Sequence, residues 1–125
     1  LLSRGLGDVY KRQIIILAAG TGNPYFSTDT AATLRAAEMN CDVLFKGTSV
    51  DGVYESDPKL NPNSKKYSTI SYKKLLEDNL KVMDSSAITL ARDNNIPMVV
   101  FSILEESSFV KAVNAEQPYT IISEK

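Results

Sequence analysis

The clearest sequence pattern for the fold lies at residues 14–32, which read IIILAAGTGNPYFSTDTAA. The short apolar run at 14–19 is typical of a strand that is covered on both faces. A glycine-rich turn follows it, and we predict that a helix then begins near Thr28 and runs to about Met39. A strand, a glycine turn and a helix N-terminus together allow backbone N–H groups to approach an anion.

The same alternation of strands and helices continues along the chain. We predict strands at 41–47, 66–71, 97–103 and 119–123, and helices at 71–80, 85–95 and 107–115. The polar segment at 50–66, which glycine and proline punctuate, is predicted to be a long loop. Strands that alternate with helices are typical of a layered sheet, so the sequence predicts an α/β fold.

Length and composition exclude several classes of protein. The chain has 125 residues, a formal net charge of −1 and 43% hydrophobic residues, which suits one small domain or a piece of a larger one. No apolar run approaches the roughly 20 residues that a membrane-spanning helix needs. A net charge near zero gives no electrostatic reason to expect nucleic acid. We therefore expect a soluble protein that binds neither a membrane nor nucleic acid.

Few residue types are left to carry chemistry. The chain has no histidine, which excludes Ser-His-Asp catalysis, Cys-His catalysis and histidine metal sites. Cys41 is the single cysteine, so no internal disulfide can form, and we predict it to be a small buried residue. Any reaction must depend on Asp, Glu, Lys, Arg, hydroxyls, backbone N–H groups or a bound ion. We assign no metal-ligating residue.

The glycine-rich loop matches neither of the two common nucleotide-binding motifs. The P-loop pattern needs a lysine after its last glycine, and the dinucleotide pattern needs a third glycine where Tyr25 stands. Ser27 and Thr28 can cap the helix and offer hydroxyls, while Asp29 falls in the first turn, where the helix dipole favours a carboxylate. From spacing alone, a ligand-binding loop and an ordinary capped connection are equally open.

Three longer motifs separate these alternatives. AAGTGNPYFSTDTAA, KGTSVDGVYESDP and LKVMDSSAITLARDNNIPMVVF follow one another in this order. Together they closely resemble the bacterial uridylate (UMP) kinases of the amino acid kinase superfamily, over about residues 14–125. The VDGVY-like loop is shared with aspartokinases, acetylglutamate kinases and carbamate kinases, whereas GTGNPYFSTD is typical of the UMP branch. The resemblance implies a layered α/β/α sandwich of the amino acid kinase (carbamate kinase-like) type.

The resemblance also implies roles for particular residues. Asp29 is similar to the aspartate that organises the phosphoryl-transfer centre in the family. One stretch resembles the UMP-binding segment: Thr21, Gly22, Asn23, Pro24, Tyr25, Phe26, Ser27 and Thr28. Thr48, Tyr54 and Asp57 match positions that contact ATP, and Lys46 is expected near the donor phosphates. Simpler structural roles stay open, with Tyr54 in loop packing, Asp57 in an Asp-Pro turn and Lys46 in solvent.

Physical chemistry is compatible with these roles. Phosphoryl transfer depends mostly on positioning and charge neutralisation, so a site without histidine is no handicap. Asp29 cannot itself bind a phosphate anion, and we infer that it orients the lysines or Mg²⁺ that would. Outside this group, Asp84 is predicted to cap the helix that begins at residue 85, with a role at a subunit or regulatory surface as the alternative.

The activity implied by the resemblance is transfer of the γ-phosphoryl group of ATP to UMP, which gives UDP for pyrimidine nucleotide biosynthesis. ATP and Mg²⁺ are the implied cofactors, and UMP is the implied acceptor. Full-length family members are homohexamers that GTP activates and UTP inhibits, so the same assembly, the same regulation and a cytoplasmic location are expected of a full-length protein.

Only the second half of the family pattern is matched. Residues 1–13, LLSRGLGDVYKRQ, are expected to be a non-native or disordered leader, with a short native loop as the alternative. Residues 14–125 are expected to be the C-terminal part of an amino acid kinase domain. The chain alone is therefore predicted to be an inactive fragment of a nucleoside monophosphate kinase. The alternative is a non-catalytic nucleotide-binding or regulatory module of the same fold, and an amino-acid or carbamate kinase is a minor option.

Overall fold

Four strands and four helices make up the computed structural model, which describes residues 14–124. The strands are β1 (Leu44–Thr48), β2 (Thr69–Ser71), β3 (Met98–Ser102) and β4 (Thr120–Ser123). The helices are α1 (Thr28–Glu38), α2 (Tyr72–Glu77), α3 (Ser85–Asp93) and α4 (Ser108–Val113). The elements predicted after residue 27 are confirmed in type and order, and most are shorter than predicted at their ends.

The strands form one mixed sheet in the order β1-β3-β4-β2. β1 runs parallel to β3, with Leu44 opposite Met98, and β2 runs parallel to β4. The two central strands, β3 and β4, are antiparallel, with Val99 opposite Ile121. β2, which lies within the strand predicted at 66–71, forms one edge of the described sheet.

Both faces of the sheet are covered by helices, and each face has its own core. On one face, α2 and α3 pack over β3 and β4 around buried Tyr72, Leu75, Ile88, Met98 and Ile122. α1 packs against α3 and β1. On the other face, α4 covers a second cluster of buried residues: Val99, Phe101, Ala112 and Tyr119. Successive residues of a strand point to opposite faces, so β3 supplies both cores. This arrangement confirms the predicted α/β/α layers.

The predicted strand at residues 14–19 is wrong for this structure. These residues belong to no strand, and Ile14 and Ile16 are 94% and 87% exposed. An apolar run becomes a buried strand only when another strand pairs with its backbone. Among the described residues, no strand pairs with this run. Most of its apolar side chains are consequently exposed to solvent.

Cys41 also differs from its prediction. It lies in the turn after α1 and is exposed rather than buried. Its N–H donates to the carbonyl of Ala36 at 2.9 Å, within the turn that ends the helix. Cys41 is exposed despite its apolar character, because the turn places it outside both cores.

No helix in the described part of the chain is long and apolar enough to cross a membrane.

Thr120 fixes the long loop to the sheet. Its side chain is fully buried, and its Oγ1 accepts a hydrogen bond from the Val53 N–H at 2.9 Å. The same hydroxyl donates to the Tyr67 carbonyl at 2.5 Å. A Cβ atom on Gly52 would lie only 2.4 Å from this oxygen, so the loop can approach β4 this closely only with glycine at that position.

We expect Thr120→Val to destabilise the fold strongly. Valine keeps the shape and strand preference of threonine but leaves the Val53 N–H and the Tyr67 carbonyl without their partner. Each buried backbone group left unpaired costs about 1–3 kcal/mol. Urea unfolding would measure the loss, with Thr69→Val as the matched control because Thr69 is an exposed strand residue. Equal stabilities of the two variants would contradict this role of Thr120.

Candidate functional site

Side chains of the glycine-rich loop shape its backbone. The Oγ1 of Thr21 accepts from the Asn23 N–H at 3.0 Å, and the Oδ1 of Asn23 accepts from the Tyr25 N–H at 3.1 Å. Gly22 has a φ of 77°, in the left-handed region that favours glycine. The turn leaves Tyr25 93% exposed and Phe26 48% exposed. The loop therefore presents two aromatic rings at the surface.

Ser27 connects this loop to α1. It is the N-cap residue, and its Oγ accepts from the N–H groups of Asp29 at 3.1 Å and Thr30 at 3.5 Å. A hydroxyl at this position satisfies N–H groups that have no partner within the helix. The capped first turn sets the position of the Asp29 carboxylate, which the helix dipole stabilises.

Asp29 and Lys46 form an ion pair at the start of α1. The Lys46 ammonium, which extends from β1, donates to Oδ1 of Asp29. Both side chains are about one quarter exposed, at 24% for Asp29 and 23% for Lys46. Lys46 is therefore bonded rather than simply solvated. The pair places a cation directly beside the carboxylate, as the role inferred for Asp29 requires.

Thr48 lies at the carboxyl end of the same strand. It follows Lys46 by two residues and so shares a face of β1 with it. Its carbonyl accepts from the Ile103 N–H at 2.9 Å, just beyond β3. In open α/β sheets, ligands bind beyond the carboxyl ends of the strands, which is where Thr48 lies.

A second polar cluster lies in the long loop around Asp51. Its carboxylate accepts from the Tyr54 hydroxyl at 2.7 Å and from the Lys66 ammonium at 2.9 Å. Burial raises the pKa of Asp51, but the hydrogen bonds from Lys66 and Tyr54 outweigh this, so the pKa is lowered overall. The hydrogen bond to Asp51 in turn raises the pKa of Tyr54 to about 12, with burial as a smaller cause.

Asp57 lies in an exposed turn of the same loop. Its Oδ1 accepts from the Lys59 N–H at 2.9 Å, and its carbonyl accepts from the Asn61 N–H at 2.8 Å. These bonds confirm the turn-forming role that the sequence left open for Asp57. Within residues 14–124, no hydrogen bond joins Asp57 or Tyr54 to the Asp29–Lys46 pair. The structure thus gathers Asp29, Lys46 and Thr48 near one strand and holds Tyr54 and Asp57 in the neighbouring loop.

Sequence reasoning missed the partners of several of these residues. Asp51, Lys66 and Thr120 had no assigned role, although they hold the loop that carries Tyr54. Asp84 is the N-cap residue of α3 by position, but its side chain makes no cap hydrogen bond, contrary to the prediction. Its carboxylate accepts from the Ser27 hydroxyl instead, across 57 residues of sequence. Spacing along the chain carries no signal for a contact of this range.

The chain is similar to known proteins in both sequence and structure. The sequence profile of the "Amino acid kinase family" matches residues 4–102. This chain belongs to the amino acid kinase family. The family membership confirms the predicted fold class and the resemblance on which it was based. The matched span includes residues 4–13, which lie outside the described residues, and the predicted leader at 1–13 stays a prediction.

Within this family, the chain is similar to curated relatives and solved structures that are named uridylate kinase or UMP kinase. The chain is 58% identical to the uridylate kinase of Erythrobacter litoralis over 112 residues, which are 90% of this chain and 47% of that protein. It is 55% identical to that of Rickettsia felis over 114 residues, 91% of this chain and 47% of that protein. The UMP kinase structure from Ureaplasma parvum is 42% identical with a TM-score of 0.94, covering 99% of this chain and 53% of that one.

A second solved structure agrees with these matches. The UMP kinase structure from Bacillus anthracis is 34% identical to this chain, with a TM-score of 0.94, and the match covers 100% of this chain and 52% of that one. The chain therefore spans about half the length of the amino acid kinase family members that it matches.

The Tyr54 hydroxyl provides a test of the Asp51 cluster. Because folding favours the protonated tyrosine, its stabilising effect is complete below the ordinary pKa of 10.0 and is lost as the pH rises through about 12. We expect Asp51→Asn to return the pKa of Tyr54 toward 10.0, since the bond to Asp51 is the main cause of the shift. NMR titration of ¹³C-labelled tyrosine rings would measure this.

Tyr72 serves as the internal control for that titration. Burial is the main cause that raises its pKa to about 12, with the charge of Glu124 as a smaller cause. Asp51→Asn should therefore leave the pKa of Tyr72 unchanged. A pKa of Tyr54 that stays near 12 in the variant would show that the hydrogen bond to Asp51 is not the main cause of the raised pKa.

Proposed function

We propose that this chain is the part of a UMP kinase that carries the acceptor-nucleotide segment and part of the donor site. The complete enzyme would transfer the γ-phosphoryl group of ATP to UMP and release UDP. The observation that carries the proposal is the ion pair of Asp29 and Lys46 at the capped start of α1. It combines an anion-favouring helix terminus with a fixed ammonium group, and phosphoryl transfer depends mainly on such positioned charge.

The acceptor segment is proposed to be residues 21–28. Its exposed aromatic rings, Tyr25 and Phe26, offer flat surfaces on which a base or ribose can rest. Gly22 has no side chain, and a Cβ atom at this position would meet no atom within 4 Å. The space beside its backbone is therefore open to a ligand. Exposed Thr28 offers a hydroxyl at the helix start. These features of Gly22, Tyr25, Phe26 and Thr28 support UMP binding at this segment.

The donor site is proposed to include Lys46, Thr48, Tyr54 and Asp57. The ring of Tyr54 is the surface available to adenine, because its hydroxyl already donates to Asp51. Thr48 lies at the carboxyl end of β1, where the phosphates of a nucleotide can reach the strand. Asp57 uses one carboxylate oxygen in its turn, and its part in ATP binding rests on the resemblance alone.

Mg²⁺ is proposed to enter the site with ATP. Within residues 14–124, no three or more Asp, Glu or Cys side chains lie together as a metal-binding group. In kinases, one or two carboxylates and the substrate phosphates hold Mg²⁺, and Asp29 is the carboxylate that the proposed site offers. When bound, the ion would neutralise charge on the transferred group.

Other properties of the whole protein stay predictions. The chain spans about half the length of its relatives, so the hexamer, regulation by GTP and UTP, and the cytoplasmic location belong to the proposal for a full-length enzyme. A non-catalytic nucleotide-binding module is the alternative, and nucleotide binding without phosphoryl transfer by a version extended to the length of the relatives would support it.

Binding specificity tests the acceptor assignment directly. We expect UMP to shift the amide NMR signals of residues 21–28 in the 125-residue chain, whereas aspartate, acetylglutamate and carbamate leave them unchanged. Tyr25→Ala should weaken UMP binding about tenfold, because stacking of a base on an aromatic ring contributes roughly 1–3 kcal/mol. Leu60→Ala is the control, since Leu60 is also a large exposed apolar residue, at 86% against 93% for Tyr25, but lies in the Asp57 turn. Equal effects of the two substitutions would contradict the assignment.

Turnover tests the proposed reaction. A coupled assay with UMP and Mg²⁺-ATP should show no useful rate for the 125-residue chain and robust turnover for a version extended to the length of its relatives. In the extended version, Asp29→Asn should lower kcat roughly 10²–10³-fold, the usual effect of removing one group that stabilises transition-state charge. Asp93→Asn is the control, because exposed Asp93 accepts from its neighbour Arg92 at the far end of α3. Unchanged kcat in Asp29→Asn would remove its proposed role.

A further inference from the structure

The N-termini of α1 and α3 are joined by two pairs of polar side chains. The Ser27 hydroxyl donates to Oδ2 of Asp84, and beside it Oγ1 of Thr30 lies 2.9 Å from Oγ of Ser86. In each pair, one residue belongs to the start of α1 and the other to the start of α3. Two regions that are more than 50 residues apart in sequence are thereby fixed to each other.

The single proton of the Ser27 hydroxyl has a defined direction. A serine hydroxyl can donate one hydrogen bond and accept two, while a carboxylate only accepts. The proton therefore goes to Asp84, and the oxygen accepts from the N–H groups of Asp29 and Thr30. All the hydrogen-bonding capacity of this hydroxyl is used, and none is left to donate to a ligand.

Asp84 is placed to hold Ser27 rather than its own helix. Although it occupies the N-cap position of α3, its side chain makes no cap hydrogen bond there. A hydrogen bond to a charged group is shorter and about twice as strong as one between neutral groups. Its carboxylate thus fixes the rotation of the Ser27 hydroxyl that caps α1. The cap in turn sets the first turn that contains Asp29, the partner of Lys46.

We propose that Asp84 is a positioning residue of the acceptor site, acting through Ser27. It holds the end of the acceptor segment and the start of α1 in one geometry, so that Asp29 stays beside Lys46. Ser27 then contributes to the site through the placement of its backbone, and exposed Thr28 supplies the hydroxyl that a ligand can reach. The link to UMP rests on the proposed function, whereas the link between Asp84 and the α1 cap does not.

A double-mutant cycle tests the contact in the 125-residue chain. Urea unfolding of Ser27→Ala, Asp84→Ala and the double variant should reveal coupling of about threefold or more in the unfolding equilibrium constant, as expected for residues in direct contact. Asp84→Asn keeps an acceptor oxygen and Ser27→Thr keeps the hydroxyl, so both should retain most of the wild-type stability. These milder variants also keep the test decisive if an alanine variant does not fold. Additive effects of the two alanine substitutions would overturn the proposal.

Amide hydrogen exchange shows which helix Asp84 serves. Asp84→Ala should accelerate exchange at the amides of Asp29 and Thr30 by about threefold or more, because their acceptor loses its fixed orientation. The first-turn amides of α3 should change little. The opposite pattern, with faster exchange in the first turn of α3 alone, would make Asp84 an ordinary cap of α3 and overturn the proposal. Asp93→Ala, at the other end of α3, is the matched control and should alter neither first turn.

The Kd for UMP, measured by titration, is a property that a purely structural role of Asp84 would leave unchanged. At a temperature where all variants are folded, Asp84→Ala should raise the Kd for UMP about threefold or more, and Asp84→Asn should restore most of the affinity. Folded Asp84→Ala protein with wild-type affinity would overturn the positioning role. If the wild-type chain binds no UMP, the proposed function fails. The double-mutant cycle and the exchange pattern then decide by themselves whether Asp84 holds the α1 cap.

Discussion

The antiparallel pairing of β3 with β4 is the interaction on which the rest of the structure depends. All five residues of β3 are buried, and its side chains alternate between the two cores. β1 is attached to the sheet through β3, whereas β2 is attached through β4. Because Thr120 begins β4 and bonds the Val53 N–H, the loop that follows β1 must pass the end of β3 to reach it. The central pair thus separates Lys46 on β1 from Tyr54, only eight positions later in the sequence.

The elements that could be predicted from the sequence are those whose signals are local. Helix caps and apolar periodicity predicted the order of helices and strands from residue 28 onward. The prediction of a strand at 14–19 is wrong because an apolar pattern indicates a need for burial and does not show that a pairing strand is present. The prediction that Cys41 is buried is wrong for a related reason, since its residue type favours burial but the turn after α1 determines where it lies.

In the candidate site, too, some residues could be predicted from the sequence and some contacts could not. Asp29, Lys46 and the acceptor segment could be named because a resemblance to a known family supplied their roles, and the cap at Ser27 could be named from residue type. The hydrogen bonds from Lys66 to Asp51 and from Ser27 to Asp84 join residues that are 15 and 57 positions apart. Such contacts depend on how helices and loops pack on the sheet, so no spacing rule in a single sequence could have indicated them. These are the contacts that hold the named residues in place.

Charge balance at the start of α1 constrains how the proposed reaction could be assembled. Lys46 is committed to Asp29, so the pair as a whole is close to neutral and can orient a phosphate better than it can hold one. A triphosphate donor needs further positive charge, from Mg²⁺ that arrives with ATP or from residues outside the described part of the chain. The apolar run at 14–19 is mostly exposed, and no strand among residues 14–124 pairs with it. Both features are accounted for if, as proposed, the acceptor segment and part of the donor site are completed by the remaining length that the relatives possess.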